Sequence, residues 1–152
     1  SMGLLCVDGN RAIRIAASYY DSKTARKQRT DEEHYAELER LAAGRLPRYI
    51  VVDPSAASFI ETIRRHGRFQ VLAANNSVLN GIRATASLLN AGKVLIHSSC
   101  KDSIREFGAY CWDDKAKEDK VVKENDHAMD DIRYFVSTIL ARQYRWADWK
   151  EV

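Results

Sequence analysis

Tyr49-Ile-Val-Val-Asp53-Pro54 is the stretch that decides the fold. Four consecutive apolar residues, three of them β-branched, are too few for a helix and lack the alternation of a half-exposed strand. Such a run is the mark of a strand covered on both faces in a parallel sheet. Asp53-Pro54 closes it, because proline sets a turn and cannot extend the ladder. Beyond it, Phe59, Ile60 and Ile63 recur at helical spacing up to Gly67. The same form then returns. Phe69 to Ala73 reads as a strand, Ser77 as the cap of a helix bearing Val78, Ile82, Ala86 and Leu89, and Val94-Leu-Ile96 as the next strand.

Before the decisive stretch, Thr30-Asp-Glu-Glu33 has the spacing of a capping box, and Tyr35, Leu38 and Leu41 follow it until Gly44. Further back, Leu4–Val7 and Ala12–Tyr20 flank Asp8-Gly9-Asn10 and read as a hairpin. Lys23 to Arg29 is a basic connector, open to reading as a solvated loop or as a phosphate-contacting segment. Towards the other end, Ser99 to Phe107 is a short helix and Tyr110-Cys-Trp112 an apolar stub. Asp113 to Asn125 is a dense charged loop. A last helix runs from Asp126 through Met129, Ile132, Phe135, Val136, Ile139 and Leu140. A tail follows whose Trp146 and Trp149 need a surface to cover. Strands alternating with helices after a hairpin predict one α/β domain with a largely parallel central sheet.

Composition narrows the function. At 152 residues the chain is long enough for one real core, and 45% hydrophobic residues exclude wholesale disorder. No run approaches the ~20 apolar residues of a membrane span. With 24 Lys and Arg against 21 Asp and Glu, the net charge of +3 permits a nucleic-acid partner without requiring one. Cys6, Cys100 and Cys111 show no C-x-x-C pairing and read as small buried hydrophobes. The absence of G-x-x-x-x-G-K-[ST] excludes P-loop nucleotide hydrolysis, and no Gly-x-Ser-x-Gly elbow is present. A phosphoacceptor receiver domain would want an acidic pair after its first strand, where this chain offers only Asp8.

Two places could carry chemistry. Asp53 stands at the carboxyl end of the most buried-looking strand, where sites form in parallel sheets; it could equally be a helix N-cap. Asn125-Asp126-His127-Ala-Met-Asp130-Asp131 opens the last helix. There His127 and Asp130 share a face, with Asp126 nearly on it, while Met129, Ile132 and Phe135 point to the core. First-turn acids favour the helix dipole, which is one reading of Asp126. The other is a hard-cation site, since carboxylates with an optional imidazole suit Mg²⁺ or Mn²⁺ better than zinc.

Several segments, in order, resemble the nuclease domain of phage terminase large subunits, in particular the branch found in prophages of Gram-positive bacteria. They are Tyr49 to Ala56, Asn75 to Arg83, Ile96 to Lys101, Glu106 to Trp112 and Lys123 to Tyr134. The last is the most specific. The resemblance implies an RNase H-like fold, a central mixed sheet flanked by helices, forming a single domain over residues 1–152. It implies a metal-dependent endonuclease that cuts concatemeric double-stranded DNA in the host cytoplasm during packaging, by two-metal hydrolysis with Mg²⁺ or Mn²⁺. Asp53 and Asp130 would be two of three metal-holding acids, facing each other across a shallow groove. His127 would tune metal binding, and Asp126 would support the ligands from outside. The partners implied for the full-length protein are the terminase small subunit and the portal, with no membrane.

The family's first acid lies on a strand that precedes the hairpin. Asp8 is then a turn residue, the domain lacks its first strand, and two ions require the missing acid; a rival alignment makes Asp8 that acid. The ATPase domain is absent as well, so the chain is expected to be a truncated piece, inactive or weakly Mn²⁺-dependent and prone to self-association. The alternative is a catalytically dead RNase H-like module of a prophage remnant that binds DNA or serves assembly.

Overall fold

The computed structural model describes residues 1–109 and 127–141. The stub at 110–112, the charged stretch 113–125, Asp126 and the tail with Trp146 and Trp149 lie outside the described residues. Strand β1 (Met2–Asp8) turns at Gly9 into β2 (Arg11–Ser18), antiparallel to it, with a register irregularity between Leu4 and Leu5. A short helix α1 (Ser22–Ala25) occupies the start of what reads as a basic connector, and α2 (Asp31–Ala42) follows. The capping box forms as expected. Thr30 Oγ1 accepts the Glu33 N–H at 3.2 Å, and Glu33 Oε2 accepts the Thr30 N–H at 2.8 Å.

Then come β3 (Ile50–Val52), α3 (Ala57–His66), β4 (Val71–Ala73), α4 (Val78–Asn90), β5 (Val94–Ile96), α5 (Lys101–Ala109) and α6 (His127–Phe135). A π-helical turn, Val136–Leu140, continues α6. The strands divide between two sheets, β1-β2-β5 and β3-β4, with β2–β5 and β3–β4 parallel and β1–β2 antiparallel. Among the described residues β1 and β3 each keep one edge without a strand partner. Helix α6 touches both.

Each sheet has its own core. Tyr35, Leu38, Ala42, Val52, Ile60, Ile63 and Phe69 pack α2 and α3 over β3, with Met2 of β1 against them. Ala12, Leu88, Val94, Ile132, Val136 and Leu140 pack α4 and α6 over β2 and β5. Burying such side chains contributes about 1.5–3 kcal/mol each, which is what selects these faces.

Three expectations fail locally. Ile50 and Val51 are only half-buried, so β3 is not fully covered on both faces. Cys6 is exposed, on the part of β1 that runs out towards the hairpin tip, whereas Cys100 is buried; Cys111 is outside the described residues. Ser77 makes no side-chain cap to α4. Its own N–H instead donates to Asn75 Oδ1 at 3.2 Å, because the Asn75 side chain builds the preceding turn. No helix among the described residues is long and apolar enough to cross a membrane.

Candidate active site

Asp53 follows β3 and Asn75-Asn76 follow β4, so both loops lie at the carboxyl ends of the parallel pair. Asp53 does not cap α3, whose N-cap is Ala56. Its Oδ1 accepts the Ser55 N–H at 2.8 Å, closing a tight turn.

Helix α6 supplies what Oδ2 meets. Tyr134 donates its hydroxyl to Asp53 Oδ2 at 2.6 Å. One turn earlier, Asp130 Oδ1 accepts from Arg133 Nε at 3.1 Å and from its second nitrogen at 2.9 Å. Another guanidinium nitrogen of Arg133 reaches Asn76 Oδ1 at 3.4 Å, and the same guanidinium lies 4.5 Å from the Tyr134 ring centre. The loop after β4 is tied again by the Asn75 N–H, which donates to Thr138 Oγ1 in the π-helical turn at 2.9 Å. Close approach of α4 makes this possible: a Cβ on Gly81 would lie 2.8 Å from both Arg133 Cγ and Ser137 Oγ.

The electrostatics follow the geometry. The Tyr134 hydrogen bond holds the Asp53 carboxyl below its ordinary range, against an opposing effect of partial burial, and Arg133 adds a smaller pull. Tyr134 is pushed up to about 12, first by burial and then by its bond to Asp53, with Asp130 adding to the negative field. Two carboxylates thus share one neighbourhood, with a guanidinium that is only 5% exposed (by residue) partly neutralising them.

Asp53 and Asp130 are therefore linked indirectly, Asp53 by its bond to Tyr134 and Asp130 by its bonds to the adjacent Arg133. His127, at the start of α6, is exposed and lies against the Tyr19 ring, 6.3 Å between centres. Asp126 is outside the described residues. Asp8 ends β1 opposite Arg11 in the hairpin. Among the described residues, no group of three or more His, Cys, Asp or Glu converges as a metal-binding set. The donors present are two carboxylates, the type of oxygen ligand that suits a hard divalent cation; a second ion would need a third acid. Sequence reading passed over Arg133 and Tyr134 as functional groups, although their spacings of three and four residues from Asp130 put all three on adjoining positions of one helix face.

The profile of the terminase RNaseH-like domain matches residues 17–138, spanning β2 to the π-helical turn. The chain belongs to this family. Its fold is accordingly RNase H-like, and the terminase domain has relatives among both sequences and structures. The large subunit of the terminase of Escherichia phage T5 is 26% identical over 141 residues, which is 84% of this chain and 32% of that protein. Structures of the large terminase from a thermophilic bacteriophage, in complex with ADP and with ATP-γ-S, superpose with a TM-score of 0.85 at 41% identity. They cover 91% of this chain and 36% of theirs. The terminase domain spans about a third of the length of these relatives. It corresponds to the RNase H-like part of a terminase large subunit.

Proposed function

We propose that this domain is a metal-dependent endonuclease that hydrolyses double-stranded DNA, with Asp53 and Asp130 holding a Mg²⁺ or Mn²⁺ ion. The observation that carries the reading is that Tyr134 of α6 bonds Asp53 at the carboxyl end of β3 while its neighbour Arg133 bonds Asp130. A divalent ion bound there would polarise the scissile phosphate and lower the pKa of an attacking water. Asp53 is oriented for this by Tyr134, which fixes Oδ2, and by the Ser55 N–H on Oδ1. Arg133 holds Asp130 and supplies positive charge where a phosphate would approach, but it also competes with a cation for the same carboxylate. His127, one turn before Asp130 and exposed, would tune metal binding. A second ion would need a third carboxylate. In the packaging machinery the partners would be concatemeric DNA, a terminase small subunit and the portal, in the cytoplasm of an infected or lysogenic cell.

A second reading rests on the two-acid count among the described residues: a module that keeps the fold and binds DNA without cutting it. Calorimetric Mn²⁺ titration and plasmid nicking separate them. The endonuclease reading expects Mn²⁺ binding with weak, Mn²⁺-preferring nicking, both lost in Asp53→Asn and Asp130→Asn and unchanged in Asp8→Asn. Nicking by Asp130→Asn at the parent rate would remove α6 from the mechanism. Loss of nicking in Asp8→Asn alone would move the acid to the hairpin.

A further inference from the structure

We infer that Glu106 is a positioning residue: from α5 it fixes the first turn of α6 and so sets the direction in which Asp130 is presented to Asp53. The inference rests on the reading of Asp53 and Asp130 as a cation site. Glu106 is 1% exposed, and its Oε2 accepts the backbone N–H of Ala128 at 2.6 Å. Its Oε1 has no hydrogen-bond partner among the described residues. A glutamine could accept the same N–H without burying a charge, so a carboxylate here calls for a physical reason. The helix terminus gives one. The first N–H groups of a helix have no partner within it, and a negative charge beside them gains from both the dipole and a charge-assisted bond.

The same turn is gripped from a second side. Arg14 of β2, 0% exposed, donates to both carboxylate oxygens of Asp131, at 2.9 Å in the bond to Oδ2. Gly3 leaves room for that guanidinium, since a Cβ there would come within 2.4 Å of Arg14 Cζ. Consecutive helical residues project about 100° apart. With the Ala128 N–H tied to α5 and the Asp131 side chain tied to β2, Asp130 is left on the side where Arg133, Tyr134 and Asp53 meet. None of the residues assigned to the cation site is on α5, so Glu106 acts on the site through the helix it holds. Groups that orient metal ligands in this way commonly change metal affinity by about 10–100-fold.

The test uses the whole 152-residue chain, with nuclear magnetic resonance of the Ala128 amide and the Asp130 carboxyl carbon alongside Mn²⁺ titration. Glu106→Ala is expected to weaken Mn²⁺ binding about tenfold or more. Glu106→Gln, which retains an acceptor oxygen, should recover most of that affinity. In Glu106→Ala the Ala128 amide proton should move upfield and the Asp130 carbon should move with it, whereas in Glu106→Gln both should stay near their parent positions. A folded Glu106→Ala that binds Mn²⁺ like the parent overturns the inference, as does an Asp130 carbon unmoved in Glu106→Ala. If circular dichroism shows Glu106→Ala unfolded, Glu106→Asp, whose shorter side chain draws the carboxylate back from the Ala128 N–H, decides instead: movement of both resonances supports the inference, and a stationary Asp130 carbon ends it. A parent chain that binds no Mn²⁺ would defeat the cation-site reading, and the same resonances would still decide whether Glu106 aims Asp130.

Discussion

The α2–α3 face and the α6 face use charge in opposite ways. Across α2 and α3 the charges form an exposed ladder: Arg65 and His66 on Glu32 at 2.8 and 2.7 Å, and Arg68 on Glu39 at 2.9 Å. Water and salt screen such pairs, and each costs side-chain entropy to hold, so they add little. Beneath them the helices are held by apolar contact, with His66 stacked flat on Tyr35 at 3.8 Å and Phe69 behind. Around α6 the guanidiniums are inside. Arg14 and Arg133 are buried and aimed at Asp131 and Asp130, and Glu106 grips the helix from a third direction. There charge sets orientation, because a desolvated group without its partner is expensive and few arrangements satisfy it. The candidate site lies on the face whose geometry is fixed by charge.

The largest break in that contrast should come from Arg14→Ala. It takes from Asp131, whose side chain is only 20% exposed, its charged partner, leaving the Ser1 hydroxyl on Oδ2, and opens a cavity, so the expected loss is about 3 kcal/mol in urea unfolding. Replacing the pair together, Arg14→Met with Asp131→Leu, should recover most of it; a double variant as unstable as the single one would show that the charges are not what is at stake.

Tyr134→Phe should cost less, about 1 kcal/mol at neutral pH after allowing for the partial exposure of Asp53. Its pH dependence has a definite sign. Tyr134 lowers the folded-state pKa of Asp53, so its contribution is full above the ordinary carboxylate range and is lost as pH falls through the depressed value. Parent and variant should therefore differ most near neutrality and converge in acid. A gap that widens on acidification would mean that the bond does not favour the ionised carboxylate.

The smallest effect belongs to Glu32→Gln. It removes the shared acceptor of Arg65 and His66, yet the urea midpoint should not move resolvably, with or without added salt. A loss comparable to that of Arg14→Ala would erase the distinction between the two faces.

What the sequence determined by itself is local or repetitive. Thr30 and Glu33 declare their capping box because both partners lie within one turn. The run at 49–52, the helical spacing of Phe59, Ile60 and Ile63, and the αL glycine at 67 define β3 and α3 for the same reason. The matching segments from Tyr49 to Tyr134 also carried the family.

Tertiary structure alone decided the rest. Arg14 lies among apolar residues of a strand and gives no sign that its guanidinium is buried. Its partner Asp131 is 117 positions away, Tyr134 meets Asp53 across 81, and Ala128 meets Glu106 across 22. The division of the described strands between two sheets and the π-helical turn whose Thr138 anchors Asn75 were likewise invisible. Hydrophobic periodicity says which face of an element is buried, because that depends on a residue and its near neighbours. Which charged group will be waiting there depends on how distant elements pack, and only the assembled fold supplies that neighbour.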